Sequence, residues 1–218
     1  MLAQSVLFSA LLILLPLRRL PRAETGAPQR RLAFLAYFAA LGAGFILLEI
    51  SMIQRFVLFL GYPTYSLTVV MLSLLISTGV GSLLSERVRE PLAAALPARL
   101  AALVLLVAAW LVAAPAVFDA LLGASLAVRI AVSIALLVPL GLVLGAFFPL
   151  GIRMAERAGR SLVPWAWAVN GCATVIGTLL AVMAGMTWSF TAVTLGALAI
   201  YALGVTALWA SERRAQRA

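Results

Sequence analysis

Apolar residues run along this chain in long blocks, with none of the alternating or amphipathic periods of a water-soluble fold. A helix needs roughly 20 predominantly apolar residues to cross about 30 Å of hydrocarbon. Seven runs approach that length, at 1–17, 32–53, 63–84, 100–117, 126–152, 162–186 and 189–210. The first is short and the fifth is long, and Pro139 inside the fifth predicts tilt or a bend. No connection between runs is long enough for a folded soluble domain. The pattern predicts an all-α fold, a polytopic transmembrane helix bundle of about seven spans, with residues 1–218 forming a single integral membrane domain.

The polar positions test that reading independently. Five arginines lie in 18–31, three in 85–99, three in 153–161 and three after Ala210, so fourteen of sixteen fall on alternate connections. The positive-inside rule assigns those connections to the cytoplasm. Seven spans with the N-terminus outside and the C-terminus cytoplasmic satisfy the pattern, leaving only Arg55 and Arg129 on the far side. The first run also has the length of a signal peptide. Its positive charge follows it, as Arg18, Arg19 and Arg22, whereas a signal peptide carries its charge in front. A retained first span is therefore expected.

Composition agrees. Sixty-five percent of the 218 residues are hydrophobic and 11% are charged, against roughly 45–50% and about 25% in soluble domains. The net charge of +9 does not point to nucleic acid, because the arginines sit at helix ends and serve topology instead. All basic residues are arginine, the usage expected of a GC-rich bacterial genome, which suggests a bacterial inner (cytoplasmic) membrane. There is no histidine and one cysteine, Cys172. No cofactor held through His or Cys ligands is expected, and no metal.

Few polar residues lie inside the runs. Glu49 is the only acidic one well within a span, and a charge in the bilayer usually faces a partner or a wet cavity. Arg55, six positions on, is about 240° around the helix and cannot pair with it along one face. Arg129, at the start of the fifth run, is the expected partner across helices, and the pair would fix register; an ion or cation site is the other reading. Asn170, Thr174 and Thr178 share one face of the sixth run, and Ser66, Ser73 and Ser77 form a similar stripe on the third. Such stripes hold helices together in lipid, at about 0.6 kcal/mol per hydrogen bond, and they can also line a polar path.

The glycines Gly42 and Gly44, Gly79 and Gly81, and Gly141 with Gly145 permit close helix approach. Trp165, Trp167, Trp188 and Trp209 stand at span ends as expected interface anchors. A short repeat is visible, Gly81-Ser-Leu-Leu-Ser-Glu86-Arg87-Val against Gly151-Ile-Arg-Met-Ala-Glu156-Arg157-Ala. It is similar to the cytoplasmic loop motif of the major facilitator superfamily. A helix leaving the membrane on the arginine side also ends this way for topological reasons alone.

Three runs carry a wider resemblance. Phe45-Ile-Leu-Leu-Glu49-Ile-Ser-Met-Ile-Gln54-Arg55-Phe-Val-Leu-Phe-Leu-Gly61-Tyr-Pro63-Thr64-Tyr65, then Phe148-Pro-Leu-Gly-Ile-Arg153, then Pro164-Trp-Ala-Trp-Ala-Val-Asn170-Gly171 resemble stretches of the membrane-bound spermidine-synthase-like proteins, the fused transporter/spermidine synthase family. The likeness extends from about Leu32 to Ala210. Glu49, Gln54, Arg55, Pro63, Tyr65, Pro164, Trp165, Trp167 and Asn170 sit on matching motifs without assigned roles, and Tyr62 stands where histidine is expected. In that family a soluble aminopropyltransferase-like domain precedes the membrane block. This sequence carries no Gly-rich loop after a strand and no acidic cluster for a polyamine, so the enzymatic label does not transfer.

Two functions follow as expectations. The first is a non-catalytic membrane subunit of a larger assembly, with a helix-packing, scaffolding role. Its partners would be lipid and other membrane chains, or a second copy of itself. The alternative is a transport-like module for a small organic solute, a polyamine-like cation being what the resemblance suggests. A membrane-embedded enzyme lacks a nucleophile–base pair or metal set.

Overall fold

The computed structural model describes Gln4, residues 28–89 and residues 91–217. They form six helices: α1 (Pro28–Leu60), α2 (Pro63–Ser85), α3 (Ala95–Leu121), α4 (Leu126–Ala158), α5 (Leu162–Thr187) and α6 (Phe190–Arg217). A 3-10 turn, Leu92–Ala94, leads into α3. All six helices are long and apolar enough to cross a membrane, the architecture of a multi-pass membrane protein. No strand occurs among the described residues. The span expected at 1–17 lies outside them.

The helices overrun the apolar blocks that predicted them. The run at 32–53 becomes a 33-residue helix, about 50 Å long at 1.5 Å per residue. The segments 153–161 and 211–217, expected as loop and tail, are largely helical. Hydropathy marks only the part of a helix that sits in hydrocarbon. Beyond it the backbone bonds continue, and arginine stems lie along the helix with their heads in water. The turns between helices are correspondingly tight. Gly61 closes α1 with φ +88°, its N–H donating to the Val57 carbonyl at 2.9 Å, and Pro63 opens α2 two residues later with the φ a first helical turn requires.

Contact pairs fix the helix directions. Along α1 and α6, Arg30 meets Glu212, Ser51 meets Thr194 and Arg55 meets Thr191. One number falls as the other rises, so the two helices are antiparallel. Along α1 and α5, Phe38 meets Asn170 while Ala43 and Ile46 meet Gly177; both numbers rise, and the helices are parallel. α2 and α4 are parallel by the same test, with Ser77 against Gly141, Thr78 against Gly145 and Ser85 against Arg153. A Cβ at Gly145 would fall within 2.6–2.7 Å of Thr78 backbone carbon atoms, so only glycine permits this crossing.

α1 is the central helix. It packs against α2, α4, α5 and α6, and its Phe34, Tyr37, Phe38, Met52, Phe56 and Phe59 are buried. α3 stands outside it, held by α4 and α6. α4 runs unbroken through Pro139 and Pro149. Each proline removes the N–H that the carbonyl four residues earlier would accept, and for Pro149 that carbonyl belongs to Gly145.

Candidate functional site

A cavity of about 350 Å³ lies between α2 and α5. Leu41, Gly42 and Phe45 of α1 and Leu144, Gly145, Phe148 and Pro149 of α4 line it, facing Leu75, Thr78, Gly79 and Ser82 of α2 and Asn170 and Thr174 of α5. Tyr201 of α6 also lines it. The absence of substantial contact between α2 and α5 leaves this space, because both helices lean on α1 and α4 instead.

The lining divides into satisfied and unsatisfied polar groups. Thr174 Oγ1 donates to the Asn170 carbonyl at 2.9 Å and Thr78 Oγ1 to the Leu75 carbonyl at 3.0 Å, both within their own helices. Asn170 Nδ2 donates to the Phe38 carbonyl of α1 at 3.1 Å. By contrast, the hydroxyls of Tyr201 and Ser82 have no partner among the described residues, although Tyr201 is only 2% exposed. Asn170 Oδ1 accepts no bond among the described residues, and Pro149 offers no N–H to the Gly145 carbonyl. Phe45 and Phe148 provide apolar walls, with Phe148 edge-on to Trp167 at 4.6 Å. No carboxylate lines the cavity.

The residues singled out in the sequence fare differently. Asn170 and Thr174 reach the cavity, while Thr178 bonds the Thr174 carbonyl at 2.9 Å. Ser66, Ser73 and Ser77 are buried in packing: Ser66 donates to the Ile53 carbonyl and Ser77 to the Ser73 carbonyl. The cavity face of α2 is the neighbouring one, Leu75, Thr78, Gly79 and Ser82. A stripe of hydroxyls along a helix marks a close contact as readily as a wet one, so the sequence did not distinguish the two faces.

The expected Glu49–Arg129 pair does not form. Arg129 Nη1 donates instead to the Phe59 carbonyl at 2.8 Å, closing the end of α1. Phe59 is ten residues beyond Glu49, about 15 Å along the axis, so the two charges stand at different depths. Glu49 is half-buried with no hydrogen bond or ion pair among the described residues. It lies four residues past Phe45 and seven past Gly42, on the face of α1 that lines the cavity.

Arg55 joins a cluster that the sequence did not reveal. Its Nη2 donates to Thr191 Oγ1, and its guanidinium lies over the Trp110 ring at 5.4 Å. Trp110, Phe56 and Phe59 surround Phe118, which stacks on Phe59 at 4.3 Å. Among the expected anchors, Trp167 and Trp188 are exposed, and Trp209 is half-buried with Arg213 over its ring at 4.0 Å. Trp165 is buried and packs within the bundle, so it is not a surface anchor. An ion pair joins Arg30 to Glu212, at 2.7 Å and 3.1 Å.

No family model matches the chain, and comparison with curated proteins and with solved structures likewise found no match.

Proposed function

We propose that this chain is a transport-like membrane module whose cavity takes a small, uncharged organic solute with an apolar body and a hydrogen-bonding edge. One observation carries the reading: the Tyr201 and Ser82 hydroxyls stand unpartnered in a cavity of about 350 Å³ that is otherwise largely apolar. Facing the open space of the cavity, these hydroxyls can donate to or accept from a ligand or water that enters it. The size suits a small ligand. Two donor hydroxyls, the Asn170 amide oxygen and the Gly145 carbonyl offer directional bonds without net charge. A multiply charged polyamine would find no counter-charge in the lining, and Glu49 stands one turn further along.

The surrounding topology completes the proposal. Eleven of the thirteen arginines within the described residues stand at the end shared by the start of α1 and the end of α6; this end faces the cytoplasm of a bacterial inner membrane. A seventh span at 1–17 places the N-terminus outside. The three runs that resemble the spermidine-synthase-like membrane proteins each send a residue to the cavity, Phe45, Phe148 and Asn170. Membership in that family, without its enzymatic activity, is part of the proposal.

The subunit reading retains one observation of its own. Apolar grooves flank α6 on both sides, one between α3 and α6 at Pro97, Val104 and Trp209, the other along Ala39, Ala43, Ile176 and Leu203. Helices of another membrane chain would fit there.

Thermal unfolding of the purified chain in detergent separates the readings. Neutral aromatic alcohols and amides are expected to raise Tm, with the rise lost in Tyr201→Phe and Ser82→Ala, and spermidine is expected to have no effect. Stabilisation by spermidine alone, abolished by Glu49→Gln, would establish a cation site instead. No shift with any compound, together with a membrane chain co-purifying in stoichiometric amount, would establish the subunit reading.

A further inference from the structure

The six helices repeat in threes. Helices α1, α2 and α3 have 33, 23 and 27 residues, and α4, α5 and α6 have 33, 26 and 28. The chain alternates direction at each turn, so the second unit enters from the end opposite the first. The two units are therefore inverted with respect to each other. Their packing repeats as well. α1 runs parallel along α5, the second helix of the other unit, and α4 runs parallel along α2 in the same relation. α1 touches α6, and α4 touches α3.

Sequence positions follow this exchange. One shift along the chain carries Arg31 onto Arg129 and Arg55 onto Arg153. Nearly the same shift carries Pro63 onto Pro164, Ser73 onto Thr174, Ser77 onto Thr178, and Trp110 onto Trp209. Two of these arginines reach from a helix end toward the neighbouring connection. Arg153, near the end of α4, donates to the carbonyls of Ser85 and Val88 at 3.2 Å, at and past the end of α2. Arg55, near the end of α1, donates to the Thr191 hydroxyl in the first turn of α6, beyond the end of α5. The short Gly81/Gly151 repeat has a different spacing and does not belong to this relation.

The cavity lies where α1, α2, α4 and α5 meet, at the interface of the two units, and the exchange maps this set of helices onto itself. It does not map the cavity onto itself. Gly42, Gly145, Pro149 and Thr174 line the open half, while their mates Leu140, Leu47, Ser51 and Ser73 are buried; the mates of Gly79 and Ser82, Leu180 and Met183, are exposed. Inverted units that share one interface can adopt two such states, one the mirror of the other in depth.

We infer that the chain consists of two inverted three-helix repeats, and that it holds a second cavity half, closed in this structure. That half is lined by Leu47, Ser51, Ser73 and Leu140 and opens toward the opposite end when the present one closes. The inference does not rest on any solute, and its test needs none. On a Cys172→Ser background, single cysteines are placed at the mates Thr174→Cys and Ser73→Cys. Each is reacted in vesicles with a membrane-impermeant methanethiosulfonate, which modifies only water-exposed thiols. Thr174→Cys should react from the arginine-rich end. Ser73→Cys should react from the opposite end, slowly. Bridging Ser82→Cys to Asn170→Cys with a short bifunctional thiosulfonate holds the present half shut, and should raise the Ser73→Cys rate about tenfold or more. Leu47→Cys, the mate of Gly145, provides the same reading where Ser73→Cys fails to fold. Silence of both Ser73→Cys and Leu47→Cys from either end, with the bridge in place and verified, would overturn the second half. Labelling of either from the arginine-rich end would overturn it as well.

Discussion

Asn170 Nδ2 donates to the Phe38 carbonyl at 3.1 Å, and this single bond ties α5 to α1 at the wall of the cavity. Gly42 lies directly over the Asn170 backbone carbonyl, so the helices meet without an intervening side chain. Interhelical hydrogen bonds in membranes average about 0.6 kcal/mol and reach about 1.7. Asn170→Ala is expected to cost an amount in that range in denaturant unfolding, because the bond is part-buried and crosses between helices. Asn170→Asp removes the donor at nearly constant volume and should cost at least as much. Full stability in both variants would show that backbone proximity alone holds the two helices.

The depth difference between Glu49 and Arg129 makes a second prediction. In a double-mutant cycle of Glu49→Gln and Arg129→Gln, the coupling energy should fall below about 0.5 kcal/mol, the level expected of sites that share no partner. Arg129→Gln alone should be costly, by about 1.5–3 kcal/mol, since it breaks a charged bond to the Phe59 carbonyl. A coupling above that threshold would mean that the two charges meet in the bilayer.

This pair also shows what the sequence could and could not convey. Six of the expected spans were legible because twenty apolar residues in succession have few other uses, and the alternating arginines gave their phasing. Legible too were Asn170 and Thr174 as polar groups on an otherwise apolar face, and the structure places both at the cavity. The partner of Arg129 was hidden, because a guanidinium pairs equally well with a carboxylate or with a free helix-end carbonyl. Which of these lies within reach is a matter of depth, and depth depends on where α1 ends. The apolar run suggested Ile53, whereas the helix continues to Leu60. Ser82 and Tyr201 were hidden for a related reason. Their place in the cavity lining arises only once α2 and α5 are held apart by α1 and α4, a relation between helices distant in sequence.

Glycine substitutions separate the parallel crossing from the rest of the bundle. At Gly145 an added Cβ meets the backbone of Thr78, which cannot rotate away. Gly145→Ala is therefore expected to cost about 1–3 kcal/mol, the range for overpacking. Gly171 lies one residue beyond Asn170 on the same helix, with nothing within 4 Å of its Cβ position. Gly171→Ala should stabilise by about 0.5–1 kcal/mol through backbone entropy. Unfolding of the two variants side by side tests the geometry of α2 against α4, and equal effects would contradict it.

The end of α2 supplies the last test. Arg153 of α4 reaches across to the carbonyl of Ser85, the last residue of α2, and to that of Val88 in the connection beyond it. The guanidinium thus closes a helix end and places positive charge where the dipole favours it. The stretch after α2, 86–89, contains Arg87 and carries Arg89 exposed to solvent, so trypsin can report on its order. Arg153→Ala should speed cleavage at these two sites well before the bundle unfolds, with a global cost of about 1.5–3 kcal/mol. Arg153→Lys restores the charge but reaches only one carbonyl at a time, and its cleavage rate should fall between the two. If Arg153→Ala left cleavage unchanged, the connection would be ordered by the Leu92–Ala94 turn alone, and the arginine bridge would be incidental to it.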